Sequence, residues 1–168
     1  MKTRAEPLDA VLTHVMQDLH DAEMHLRSVL PVLWEKAEDK ALAEALRQSL
    51  HESNRHIALL TGMLESLGST PSGRPWQGMR AVIAETLGAA AAGIEPSHMT
   101  DLLLVSGCMR IKALKVAAYG TARSMAEKRG DQAMAYLLQD ILTAEMEGDL
   151  KLVEFTHAVL VSGGLAQA

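Results

Sequence analysis

Apolar residues recur along this chain at steps of three and four, with polar residues between them, which is the mark of amphipathic helices. Leu8, Leu12, Val15, Leu19, Ala22, Leu26, Val29 and Leu33 form a first stripe. Leu42, Ala45, Leu46, Leu50, Ile57, Leu60, Leu64 and Leu67 form a second, and Met134, Leu138, Ile141, Leu142, Leu152, Phe155 and Val159 form the last. Period and stop signals predict helices over about 8–37, 40–67, 76–92, 98–129 and 131–160. Pro31 falls inside the first and predicts a kink, because it removes a backbone hydrogen bond and presses on the carbonyl of Arg27. Asp39 is placed to cap the second helix and Gly68 to end it. A Ser, Thr, Pro and Gly loop follows at 69–75, and Gly93 with Pro96 ends the short helix. The next long helix starts near Ser97 or Thr100 and stops at Gly130, with Asp131 as an immediate N-cap. The tail from Ser162 is expected to fray.

Helix formers dominate, and Val, Ile and aromatic residues are too scattered for strands, so the fold class is all-α. The four long helices fall into two tight hairpins. The hairpins are joined by a crossover of about 30 residues that carries the short fifth helix. That is the ferritin-like form of four-helix bundle, although an up-down bundle with a decorated loop would read alike. Residues 1–168 are read as a single helical domain of this kind.

Charge and cysteine count narrow the partners. Sixteen basic against 21 acidic residues give a net charge of −5, with no basic stripe for nucleic acid. The lone Cys108 excludes an intramolecular disulfide and suits a reducing cytoplasm. The charged opening, Met1 to Pro7, lacks a signal-peptide core, and no apolar run approaches the ~20 residues of a membrane span. The expectation is a cytoplasmic protein with no membrane partner. No nucleophile elbow, phosphate-binding glycine loop or paired Cys-x-x-Cys is present.

The chemistry lies in polar residues that interrupt the stripes. Glu23 sits between Leu19 and Leu26. Glu52 and His56 stand one turn apart on the second helix, and Glu145 and Asp149 lie between Leu142 and Leu152. The third long helix differs, since its inward candidates are Lys112 and Lys115, near Cys108, Ile111, Val116 and Tyr119. Carboxylates on facing helices, with a histidine one turn from a glutamate, are the raw material of a bundle-core site for iron, manganese or zinc. Any one such glutamate can instead bend to solvent at a stripe edge.

Several segments together resemble the YciE/YciF family, bacterial stress-associated proteins of the ferritin superfamily. Asp18-Leu19-His20-Asp21-Ala22-Glu23 resembles its D-x-x-x-A-E signature, and Glu52-Ser53-Asn54-Arg55-His56 its second-helix E-T-x-x-(Q/H) segment. Trp76-Gln77-Gly78-Met79 through Glu85 is similar to its short-helix entry, with tryptophan where cysteine is common. Ala118-Tyr119-Gly120-Thr121 matches its Y-G-T motif. Leu142-Thr143-Ala144-Glu145, with Asp149 and Leu152, resembles its L-x-x-E-x-x-x-D-x-x-L. The likeness runs from about Leu12 to Ala158. It implies a ferritin-like bundle, often a homodimer, with a carboxylate-rich dinuclear metal site. Where the family typically carries glutamates in E-H-x-E, however, this chain has Lys112 and Lys115, with Ala113 for the histidine. Thr143 and Ala144 stand at positions that are commonly acidic.

Three arrangements are open to these residues. The lysines can stand in for the metals, neutralising Glu23, Glu52, Glu145 and Asp149 as a buried ion-pair network, since an ammonium cannot ligate a metal and repels one. They can snorkel away, leaving Glu23, Glu52, His56 and Glu145 to hold one metal. Or all the polar groups can sit at stripe edges. The first predicts a degenerate di-metal site in a stress-associated structural or interaction protein, without cofactor. The second predicts a metal-dependent ferritin-like oxidase or metal-handling protein.

Other residues read more plainly. His14, Asp18, Asp21 and His25 form a polar face of the first helix that suits solvent better than a metal, and His20, His51, His98 and His157 show no partner. Ten methionines suit a core poor in aromatics. Cys108 reads as a small buried hydrophobe and Tyr119 as a packed residue with a satisfied hydroxyl. Trp34 and Trp76 are candidates for a dimer contact.

Overall fold

The computed structural model describes residues 7–73, 75–95 and 98–162. The opening residues 1–6, Pro96 and Ser97 as stop and start signals, and the fraying expected of the tail beyond Ser162 lie outside the described residues. Five helices follow in order: α1 (Pro7–Lys36), α2 (Lys40–Ser66), α3 (Gln77–Ala92), α4 (His98–Arg129) and α5 (Gln132–Ser162). The fold is an all-helical bundle, with no strand among the described residues.

Each turn has a local cause. Asp39 accepts the backbone N–H groups of Ala41 at 2.7 Å and Leu42 at 3.0 Å, capping α2. Gly68 (φ +69°) lets the chain turn back after α2, with the Ser69 N–H donating to the Leu64 carbonyl at 2.9 Å. Gly93 (φ +56°) ends α3 and Gly130 (φ +81°) ends α4. Asp131 then accepts the Met134 N–H at 3.0 Å, so α5 begins at once. Pro31 lies inside α1, and the helix continues through it to Lys36.

Three polar side chains tie the loops down. Asp101, 2% exposed, accepts the N–H groups of Glu38 and Asp39 at 3.0 Å each and so holds the α1–α2 turn against α4. Gln17 donates to the Thr70 and Ser72 carbonyls at 3.0 and 3.2 Å. Asp21 accepts the Trp76 N–H at 2.8 Å and pairs with Arg80 at 2.6 Å, fixing the entry to α3. The expected solvated face of α1 is therefore partly structural. Arg80 leads the forces that hold the Asp21 carboxyl below the usual range, against its partial burial. His20 likewise has a neighbour, the Thr61 hydroxyl at 3.3 Å.

α1 packs along α2 and α4 along α5, α3 covers α4 and α1, and α2 touches α5 over a shorter stretch. At Gly107 α4 runs close against α3: a Cβ there would stand 2.3 Å from the Thr86 hydroxyl oxygen. The apolar core is in two parts. One gathers Leu26, Leu30, Leu33, Leu42, Leu46, Ile83, Leu104 and Ile111, and the other Leu12, Met16, Leu60, Leu64, Ala122, Leu138 and Ile141. The ring of Trp76 packs against both, and Trp34 packs on the first beneath Arg47. Both tryptophans thus serve the chain's own packing. Among the described residues no helix is long and apolar enough to cross a membrane.

Candidate functional site

Between the two apolar halves lies a polar layer. Each long helix sends residues into it: Glu23 from α1, His56 from α2, Lys112, Lys115 and Tyr119 from α4, and Glu145 from α5. Glu23, His56 and Tyr119 are 0% exposed, Glu145 1% and Lys115 4%. Charges this deep persist only when paired.

They are paired. The Lys115 ammonium donates to Glu145 Oε1 at 2.5 Å and lies 2.9 Å from Glu23 Oε1. The Lys112 ammonium donates to Glu145 Oε2 at 3.0 Å. Glu23 Oε1 also accepts the Tyr119 hydroxyl at 2.8 Å, and His56 Nδ1 lies 3.2 Å from it. His56 Nδ1 is 3.5 Å from Glu145 Oε1 as well. An ionised carboxylate only accepts, so Nδ1 carries its hydrogen toward Glu23. Glu23 Oε2 and His56 Nε2 have no partner among the described residues.

Electrostatics keep the layer ionised. Burial pushes the Glu23 carboxyl up, but Lys115 and His56 together outweigh it and hold the group well below the usual carboxylate range. Burial and Glu23 push Glu145 up, and Lys115 with Lys112 overcomes both. Burial alone would lower the Lys115 ammonium, yet Glu145 and Glu23 raise it above an ordinary lysine. Burial raises the Tyr119 hydroxyl, and the two carboxylates push it further the same way, so it stays a donor.

Five of the seven residues singled out from the pattern meet here: Glu23, His56, Glu145, Lys112 and Lys115. Glu52 and Asp149 do not. At the level of Glu52 the inward place belongs to Ser53, 2% exposed, and one residue is about 100° of helix rotation. The half-buried Glu52 carboxylate instead accepts from Gln48 at 3.4 Å. At the level of Asp149 the inward place belongs to Gly148, where a Cβ would lie 2.7 Å from Lys112 Nζ. Gly148 and the Tyr119–Glu23 bond are the parts of the layer that pattern reading passed over. The one signal for Gly148 was a glycine within a helix, a step of three from Glu145.

Glu23, His56 and Glu145 each place a ligand-type atom within 4.8 Å of the others, and carboxylate oxygen with imidazole nitrogen is a donor set for iron, manganese or zinc. Oε1 of Glu23 and Oε1 of Glu145 hold the Lys115 ammonium between them. A protonated amine in contact with both acids repels a metal cation from those oxygens. With Lys115 so placed, those two oxygens do not fit a metal, and Glu23 Oε2 and His56 Nε2 are the ligand-type atoms left without a partner among the described residues.

An all-helical bundle with acids and lysines neutralised across its core is the class of protein this geometry defines. Residues 7–162 match the family described as "Domain of unknown function (DUF892)", and the chain belongs to that family. It is 26% identical over 151 residues to Protein YciF of Escherichia coli (strain K12), covering 88% of this chain and 89% of that protein. The crystal structure of the E. coli stress protein YciF superposes with a TM-score of 0.86 at 24% identity, covering 95% of this chain and 98% of that one. YcfI from Rhodopseudomonas palustris gives a TM-score of 0.82 at 25% identity, covering 90% and 96%. The motif resemblance to YciE/YciF proteins therefore holds along the chain.

Proposed function

We propose that this chain is a ferritin-like bundle whose di-metal centre has degenerated into an ion-pair core, and that it acts as a cytoplasmic, homodimeric structural or interaction protein in a stress response. The observation that supports this reading is the Lys115 ammonium held between Glu23 and Glu145, 2.9 Å from the first. Two ammonium groups supply the positive charge that two acids need, without a metal ion. The likeness to a protein described as a stress protein supports the cellular setting.

Elemental analysis of protein purified without chelator tests it. The expected result is no stoichiometric iron, manganese or zinc. A metal that copurifies at one or two per chain and disappears in Glu23→Ala overturns it.

The convergence of Glu23, His56 and Glu145 favours a second reading, in which one metal is held by these three side chains in an oxidase or metal-handling protein. That reading requires Lys115 to leave the space between the acids. Metal taken up by the purified protein, with Lys115 becoming reactive to amine reagents, is the result it calls for.

A further inference from the structure

A cavity of about 380 Å³ opens beside the polar layer, where α2 and α5 stand apart. This volume lies within the ~300–1,000 Å³ typical of small-molecule sites. Its depth is apolar, walled by Leu26, Leu30, Leu46, Ile111 and Leu152. Its rim is polar, with Glu44 and Gln48 on α2 and Lys151 on α5. Lys112 and Lys115 form the charged part of the inner wall. Glu23 and Glu145, which neutralise them, are not part of that wall. The inside of the cavity therefore presents ammonium groups among leucines, with carboxylates of its own only on the α2 side at Glu44 and Glu52.

We infer that this cavity binds an amphipathic anion, an alkyl chain with a carboxylate head. The tail lies among the leucines and the head accepts hydrogen bonds from Lys112. An ammonium has three donors, and the only hydrogen bond of Lys112 among the described residues is to Glu145 Oε2. Two donors remain at the wall for an incoming carboxylate. Lys115 is committed to both core acids and contributes charge rather than a bond. Gly148 also lines the cavity, and its missing side chain is what lets the Lys112 head lie there. The inference rests on the ion-pair reading of the core, because a metal between the acids would displace the lysines.

The test titrates the full chain, stripped with chelator, with dodecanoate and with dodecyltrimethylammonium below their micelle concentrations, read by calorimetry. Dodecanoate is expected to bind saturably, one per chain, at least about tenfold more tightly than the cationic amphiphile, the scale of one charge-assisted hydrogen bond. Lys112→Met is expected to abolish that preference, and Ala45→Phe, which fills the cavity from its α2 wall, to weaken both ligands. Absence of saturable dodecanoate binding overturns the inference, as does equal binding of the two head groups or a folded Lys112→Met that keeps the preference. Should Lys112→Met fail to fold, the head-group comparison on the unmodified chain decides alone. Metal found in the protein before stripping counts against the ion-pair core, whereas failure of the stripped protein to bind counts against the ligand.

Discussion

Gly148 on α5 lies so close to Lys112 on α4 that a single added carbon would stand 2.7 Å from the lysine nitrogen and 3.0 Å from its Cε. The two positions therefore work as a unit: the glycine leaves room and the lysine head fills it, reaching Glu145 at 3.0 Å. Without Lys112, a helical glycine is a plain liability of about 1 kcal/mol relative to alanine. Gly148→Ala is thus expected to change stability little in the native chain, since the propensity gain is offset by a displaced Lys112. In a Lys112→Ala background it should stabilise by about 1 kcal/mol. A double-mutant cycle by urea denaturation checks this, and equal effects in both backgrounds would show that the two residues are independent.

Lys115 carries more than Lys112. It faces both acids and its side chain is 5% exposed, while Lys112 faces one acid and is 10% exposed. Lys115→Met leaves two buried carboxylates short of positive charge and is expected to cost about 3–5 kcal/mol. Lys112→Met should cost less. Chemical denaturation orders the two, and an equal or reversed order removes Lys115 from the centre of the network.

The ion pairs also set a pH window. Folding holds Glu23 and Glu145 below their ordinary range, so their contribution is full above the unfolded carboxylate value of about 4.3 and is lost as pH falls through the lower folded values. Lys115 is raised by folding, so its contribution is full below about 10.4 and is lost as pH rises through its higher folded value. Stability contributed by this layer should therefore be level in between and fall at both ends. Lys115→Met should flatten or invert the acid limb, because protonation would then relieve two buried carboxylates that are left with Lys112 as their one remaining ammonium. Urea midpoints from acid to alkaline pH read this directly.

Cys108 is 7% exposed, and burial pushes its thiol up to about 11, against a small opposing pull from Lys112. Thiolate is the reactive form, so at pH 8 alkylation of the folded chain should run about a hundredfold slower than that of a free thiol. Unfolding in urea should restore the ordinary rate. Rapid labelling of the native protein would show that reagent reaches Cys108 through the cavity it lines.

Much of this protein could be read along its chain. The three-and-four steps specified the helices. Asp39 and Asp131 had to begin them and Gly68, Gly93 and Gly130 to end them, for reasons that act within one turn of backbone. The intrusion of Glu23, His56, Glu145, Lys112 and Lys115 into apolar stripes was visible for the same reason, since a helix's period tells which side chains share its face. What period cannot supply is how each helix is rotated against its neighbours. That rotation put Ser53 inward in place of Glu52, and Gly148 in place of Asp149. It gave Glu23 Oε1 the Tyr119 hydroxyl, 96 residues away in sequence, and turned Asp21 and Asp101 from polar positions into anchors for loops. Local backbone preferences determined the elements. Packing between elements, where an error of one residue turns a side chain by about 100°, decided which charges meet and where a cavity opens beside them.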